Sequence, residues 1–181
     1  TSTFVAFMNR FNRYADRLDV SLLKPLFTER GERRVYGRGE PFLTADHRLM
    51  LEKGAEILVG VDILANALGT QKAYIGIENN KPDAIERLTQ LAVEYPHIEI
   101  VPLRVRYPQG GEKQLIEAIT GREVPSGGLP IDVGAVVQNV GTAFAVYEAV
   151  QKNKPLIERI VTVTGRCLAR PSNLRVRIGP P

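Results

Sequence analysis

The chain has a single cysteine, Cys167, no tryptophan, and only two histidines and two methionines in 181 residues. One cysteine cannot close an internal disulfide, and alone it holds neither a zinc ion nor an iron–sulfur cluster, both of which take several thiolates. A reducing compartment fits that usage. No apolar run nears the roughly 20 residues that span a bilayer, and the start lacks the charged, apolar and small-residue succession of a signal peptide. The expected setting is therefore cytoplasmic. The common nucleotide fingerprints are missing too: there is no G-x-G-x-x-G after a strand and no G-x-x-x-x-G-K-[ST], and Gly37-Arg-Gly39 is only a fragment of such a pattern. With no His-x-x-x-His and no paired cysteines, no metal site is expected. Cys167 with His47 or His97 is a weak nucleophile–base pair, so no catalytic residue is assigned.

What is present has the balance of one ordinary folded domain. Apolar residues make up 44% and charged residues 24% of the chain, close to the average for globular proteins, and a chain of this length buries roughly 70% of its unfolded surface without staples. The net charge of +4 sits at the ends: residues 1–38 hold eight Lys or Arg against four Asp or Glu, and Arg166, Arg170, Arg175 and Arg177 close the chain. No RNA-stacking or recognition-helix signature accompanies these groups, so nucleic acid is not an expected partner.

From Phe4 to Leu18, apolar residues at steps of three and four oppose Arg10, Arg13 and Arg17, which predicts an amphipathic helix, followed by a connecting loop to residue 39. Thr44 offers an N-cap for a helix through His47, Leu49 and Met50, and a further helical pattern runs from Ile57 to Leu68 and stops at Gly69. Ala73–Glu78 reads as a buried strand, Pro82 opens a helix, and His97–Val105 reads as a second strand parallel to the first. A helix over 114–120 ends at Gly121. Asn139 caps a helix carrying Phe144 and Tyr147, Leu156–Thr164 returns as a strand, and the alternation in Arg175–Ile178 suggests an edge strand. The expected fold is an α/β layered domain with a mostly parallel sheet flanked by helices.

Glycine-bearing loops at the ends of such strands are where backbone N–H groups cradle phosphates. Two carboxylates, Glu40 and Glu112, lie beside such loops, where an acid can accept hydrogen bonds from a ring or a ribose; equally, Glu112 serves the positive end of its own helix.

Five blocks stand in a fixed order: Glu40-Pro-Phe-Leu-Thr-Ala-Asp-His-Arg-Leu-Met, Gly76-Ile-Glu-Asn-Asn-Lys-Pro-Asp-Ala, Arg106-Tyr-Pro-Gln-Gly-Gly-Glu-Lys-Gln-Leu-Ile, Gly121-Arg-Glu-Val-Pro-Ser-Gly-Gly-Leu-Pro and Val137-Gln-Asn-Val-Gly-Thr-Ala. In order and spacing they resemble the C subunit of the Rnf electron-transport complex, whose central domain is similar to the flavin- and NADH-binding subunit of respiratory complex I. The resemblance covers about residues 40–165, with 166–181 as a strand leading out. It implies FMN and NAD(H) as cofactors, hydride exchange between them, and the other subunits of a membrane-bound electron-transport complex as partners, holding the chain at the inner face of the cell membrane. It places Glu40 by the flavin, Gly110, Gly111 and Glu112 by the flavin and nicotinamide, and Gln138, Asn139 and Thr142 near the flavin phosphate and ribityl chain. Residues 1–39 match neither the family's glycine-rich loop nor its neighbouring words, and its iron–sulfur cysteine motifs have no counterpart, so no cluster is expected and weakened or lost FMN binding is implied. A non-catalytic docking or scaffold module, and the related cobalamin-reductase flavoprotein, are the alternatives.

Overall fold

Four strands run parallel in one sheet of order β3-β2-β1-β4: β1 (Thr3–Phe7), β2 (Ala73–Glu78), β3 (Ile98–Leu103) and β4 (Ala135–Asn139). The computed structural model describes residues 44–105, 111–165 and 169–179, and the backbone of 3–7. The helices are α1 (Ala45–Leu68), α2 (Pro82–Ala92), α3 (Glu112–Thr120) and α4 (Val140–Lys152), with a 3-10 turn at Pro130–Val133 before β4. A separate antiparallel pair, β5 (Glu158–Val163) and β6 (Ser172–Arg177), follows α4.

The period of two along β2 divides the layers. Ala73, Ile75 and Ile77 are fully buried against α1, α2 and α4, together with Ile57, Leu58, Val61, Leu88, Val140 and Ala143. Tyr74 faces the other way and meets Leu115 of α3, with Leu103 and Val137 beside it. Helices thus cover both faces of a parallel sheet, as such sheets require because neither face can stay wet, and the expected α/β layered architecture is what the chain adopts.

One expectation fails at the start of the chain. Thr3–Phe7 is a strand, although helical spacing begins a helix at Phe4. The reason is tertiary: β1 lies between β2 and β4 and pairs with both, and the uninterrupted run Phe4-Val5-Ala6-Phe7 suits a central parallel strand better than one stripe of a helix. The remainder of that expected helix and its arginine face, with the loop to residue 39, lie outside the described residues.

Elsewhere the signals hold with shifted details. The two helical patterns after Thr44 are one helix, α1, bent where Lys53 leaves helical dihedrals (φ −129°, ψ 29°). Gly69 and Gly121 end α1 and α3 in the left-handed conformation (φ 62° and 67°) that glycine adopts without steric cost. Residues 175–178 do not border the main sheet; β6 pairs with β5, so the strand expected at Leu156–Thr164 stands with the C-terminal segment.

Candidate functional site

The strand order itself locates a crevice. From β1 the chain steps outward through α1 to β2 and through α2 to β3, then crosses under the sheet by α3 to reach β4 on the other side of β1. The helices that follow β1 and β4, α1 and α4, lie side by side on one face of the sheet and start together at its carboxyl edge, the edge at which open α/β sheets bind ligands. Phe7 and Asn139, the last residues of the two strands, are paired in register at that point.

Two helix N-termini meet beside the crevice. Asn139 caps α4: its side-chain oxygen accepts the Gly141 N–H at 2.7 Å, and its amide nitrogen donates to the Asp46 carboxylate, in the first turn of α1, at 2.7 Å. Both ends of the amide are therefore committed, and Asn139 shapes the site by tying α1 to α4. The first N–H groups of α1 are served differently from expectation. Thr44 makes no side-chain cap; the Thr162 hydroxyl of β5 accepts from the Thr44 and Ala45 N–H groups at 3.2 and 3.0 Å, and Asn173 of β6 accepts from the Thr44 and Thr162 hydroxyls at 3.1 and 2.8 Å. The hairpin thus takes the Thr44 and Ala45 donors at the start of α1, while in the first turn of α4 only Gly141 is used by the cap and its neighbours' main-chain donors face the carboxyl edge.

Thr142 and Arg159 complete this corner. The Arg159 guanidinium, from β5, donates to the Thr142 hydroxyl at 3.3 Å, and both residues are partly buried. Gln138, one residue before the cap and partly buried, shares a sheet face with Val136 by strand alternation, toward α1 and α4. The expected residues Gln138, Asn139 and Thr142 are thereby brought together. Gly111 and Glu112 open α3 on the opposite face of the sheet, where Gly111 accepts the Leu115 N–H at 3.0 Å and Glu112 occupies the first turn. They border the same carboxyl edge, but no hydrogen bond or ion pair joins them to the Asn139 corner among the described residues. Glu40 and Gly110 lie outside the described residues. Asp46 and Arg159 were not singled out by sequence; Asp46 stood inside a family block, whereas a lone arginine in a strand carries no signal of its neighbours.

An ion pair and a histidine–carboxylate hydrogen bond stiffen the same edge. Lys81, nearly buried after β2, pairs with Glu78 and reaches Asn80 at 3.3 Å. His47 of α1 meets Asp83 of α2 at 2.8 Å. Burial pushes the Asp83 carboxyl up, but the hydrogen bonds from His47 and from the Ala84 N–H outweigh it, leaving its pKa below the ordinary aspartate value. A carboxyl depressed in the folded state contributes stability above its unfolded pKa, roughly 4, and loses it as pH falls through the folded value. Urea midpoints measured across the acid limb should therefore fall less steeply below about pH 4 in Asp83→Asn than in the wild type. Parallel acid limbs would show that the His47 contact does not set this ionisation.

A cleft of about 470 Å³ adjoins the corner, bounded by α1, α4 and the hairpin through Ala45, Arg48, Leu49, Phe144, Asn173 and Arg175. Among the described residues no helix is long and apolar enough to cross a membrane.

The family model of the Nuo51 FMN-binding domain matches residues 37–148. The chain belongs to that family. Among curated proteins, the C subunit of the proton-translocating ferredoxin:NAD(+) oxidoreductase complex of Clostridium ljungdahlii is 53% identical over 140 residues, covering 77% of this chain and 30% of that protein. The C subunit of the Na(+)-translocating complex of Acetobacterium woodii is 46% identical over 142 residues, covering 78% and 32%. Its counterpart in the ion-translocating oxidoreductase complex of Pseudomonas aeruginosa is 49% identical over 142 residues, covering 78% and 18%. The resemblance read from the five blocks thus stands, and the chain spans between about a fifth and a third of the length of these relatives. A solved structure of an NAD+-reducing [NiFe]-hydrogenase superposes with a TM-score of 0.55 at 20% identity, covering 83% of this chain and 24% of that one, which shows a shared fold.

Proposed function

We propose that this Nuo51-type domain binds FMN in the crevice between β1 and β4 and serves electron transfer in an ion-translocating ferredoxin:NAD(+) oxidoreductase, receiving hydride from NADH. The observation that carries the reading is the first turn of α4 at the carboxyl edge of the sheet, with main-chain N–H donors, the Thr142 hydroxyl and the Arg159 guanidinium around it. That donor set fits a phosphate. The Asp46 carboxylate accepts from the Asn139 amide.

In this reading the Val140 and Thr142 N–H groups and the Thr142 hydroxyl hold the phosphate end, and Gln138 supplies an amide to the ribityl chain. Glu112 and the Gly111 backbone, on the α3 side of the same carboxyl edge, border the flavin ring and the nicotinamide stacked on it. The flavin, when bound, supplies the exchange between a two-electron hydride and single electrons. The chain's own work is to hold the ring and the phosphate and to keep the crevice dry. The iron–sulfur clusters that take the electrons belong to partner segments or subunits, since one cysteine cannot ligate a cluster.

Titration of the purified chain with FMN, followed by quenching of flavin fluorescence, should show saturable binding, and added NADH should bleach the flavin absorbance. Saturable binding without bleaching would retain the flavin site and remove the NADH step. Absence of binding would overturn the reading and favour the docking or scaffold module.

A further inference from the structure

Arg159 stands outside the matched span 37–148, on a strand of the second sheet, yet its side chain reaches into the first turn of α4. One terminal nitrogen, Nη2, donates to the Thr142 hydroxyl at 3.3 Å. The other, Nη1, lies 3.3 Å from where a Cβ on Gly141 would stand. The guanidinium therefore lies along the first turn of α4, and no carboxylate pairs with it among the described residues.

The placement is unfavourable by itself. A helix N-terminus carries a partial positive charge, so a cation held against it is repelled, and a partly buried guanidinium without a counter-ion has also given up solvation. Other cations in this chain do find acids: Arg48 pairs with Glu52, Lys53 with Glu56, Lys81 with Glu78. Only an anion at the corner gives Arg159, the helix end and the Thr142 hydroxyl a common partner, and a guanidinium fork matches a phosphate with two parallel N–H donors.

The geometry points to Arg159 as a phosphate-binding residue lent by the β5–β6 hairpin to the flavin site. The inference rests on the FMN reading above and adds to it the specificity element: Arg159 makes the site prefer the phosphorylated flavin over riboflavin. It also gives the hairpin a role in the site. The hairpin is locked to α1 through Thr162 and Asn173, so the helix it caps and the phosphate it binds are held in one unit.

The test compares FMN with riboflavin on the 181-residue chain, using the wild type, Arg159→Gln and Arg159→Lys. Removing one charge-assisted contact to phosphate should weaken FMN binding about tenfold or more, and riboflavin binding should stay unchanged. Arg159→Lys should recover part of the FMN affinity through its point charge, and the wild-type preference for FMN should shrink with added salt. Equal FMN affinity in the wild type and Arg159→Gln would overturn the inference while leaving the flavin site intact. An equal loss for both flavins would also overturn it, assigning Arg159 to holding Thr142 alone. A wild type that binds neither flavin would remove the underlying reading and this one together.

Discussion

Gly60→Ala should cost the chain about 3 kcal/mol of stability, although glycine-to-alanine inside a helix ordinarily gains about 1 kcal/mol. Gly60 is buried at the crossing of α1 and α4, and a Cβ placed there would stand 1.9 Å from the carbonyl oxygen of Ala143 and 2.6 Å from its carbon. Backbone atoms cannot swing aside as a side-chain tip can, so the two helices must separate, and the packing of Ile57, Val61 and Val140 opens with them. Separation also pulls Asp46 from Asn139, because the same two helices carry that bond. Gly54 provides the internal control. Its Cβ would meet only the tips of Leu91 and Leu88, at 2.9 and 3.0 Å, and leucine tips can rotate. Urea denaturation should show a large fall in midpoint for Gly60→Ala and a small change for Gly54→Ala; equal effects would mean the α1–α4 crossing tolerates a wider spacing.

The close approach at Gly60 was invisible in the sequence, where that glycine reads only as an interruption within a helical pattern. What sequence does carry is local. Pro82 at the first turn of α2, Gly69 and Gly121 as stops, and Asn139 as a cap each act within a few residues of themselves, and each is found in its expected place. What sequence carries poorly is competition between distant partners. Thr44 is a fair cap by type, yet Thr162, 118 residues away, takes its place. Phe4–Phe7 satisfies helical spacing, but a slot between β2 and β4 decides for a strand. The site divides in the same way. The proximity of Gln138, Asn139 and Thr142 was legible because one block holds all three, whereas Arg159 and Asp46 join them only through the packing of the hairpin and α1 on α4. Even the adjacency of β1 and β4, whose ends meet at the Asn139 corner, depends on a strand order that no single segment encodes.

Asn139→Ala should lower stability by about 2 kcal/mol, roughly half from the lost helix cap and half from the lost bond to the charged Asp46. It should weaken FMN binding as well, because the first turn of α4 frays without its cap. Asn139→Asp separates these effects. Aspartate caps a helix about as well as asparagine, so the Gly141 N–H keeps its acceptor and most of the helix stability survives. It cannot donate to Asp46, and two carboxylates then face each other across what was a 2.7 Å hydrogen bond. Like charges so placed raise the pKa of one of them, and protonation restores a donor between them. FMN affinity in Asn139→Asp should therefore be poor at neutral pH and recover as the solution is acidified, whereas in Asn139→Ala it should stay poor throughout. Flavin titrations of both variants at several pH values above the acid-unfolding limb give the measurement. A recovery in neither variant would mean that the charge of Asp46 does not reach the phosphate end of the crevice, and a loss of stability in neither would mean that α1 and α4 are held without the Asn139 bridge.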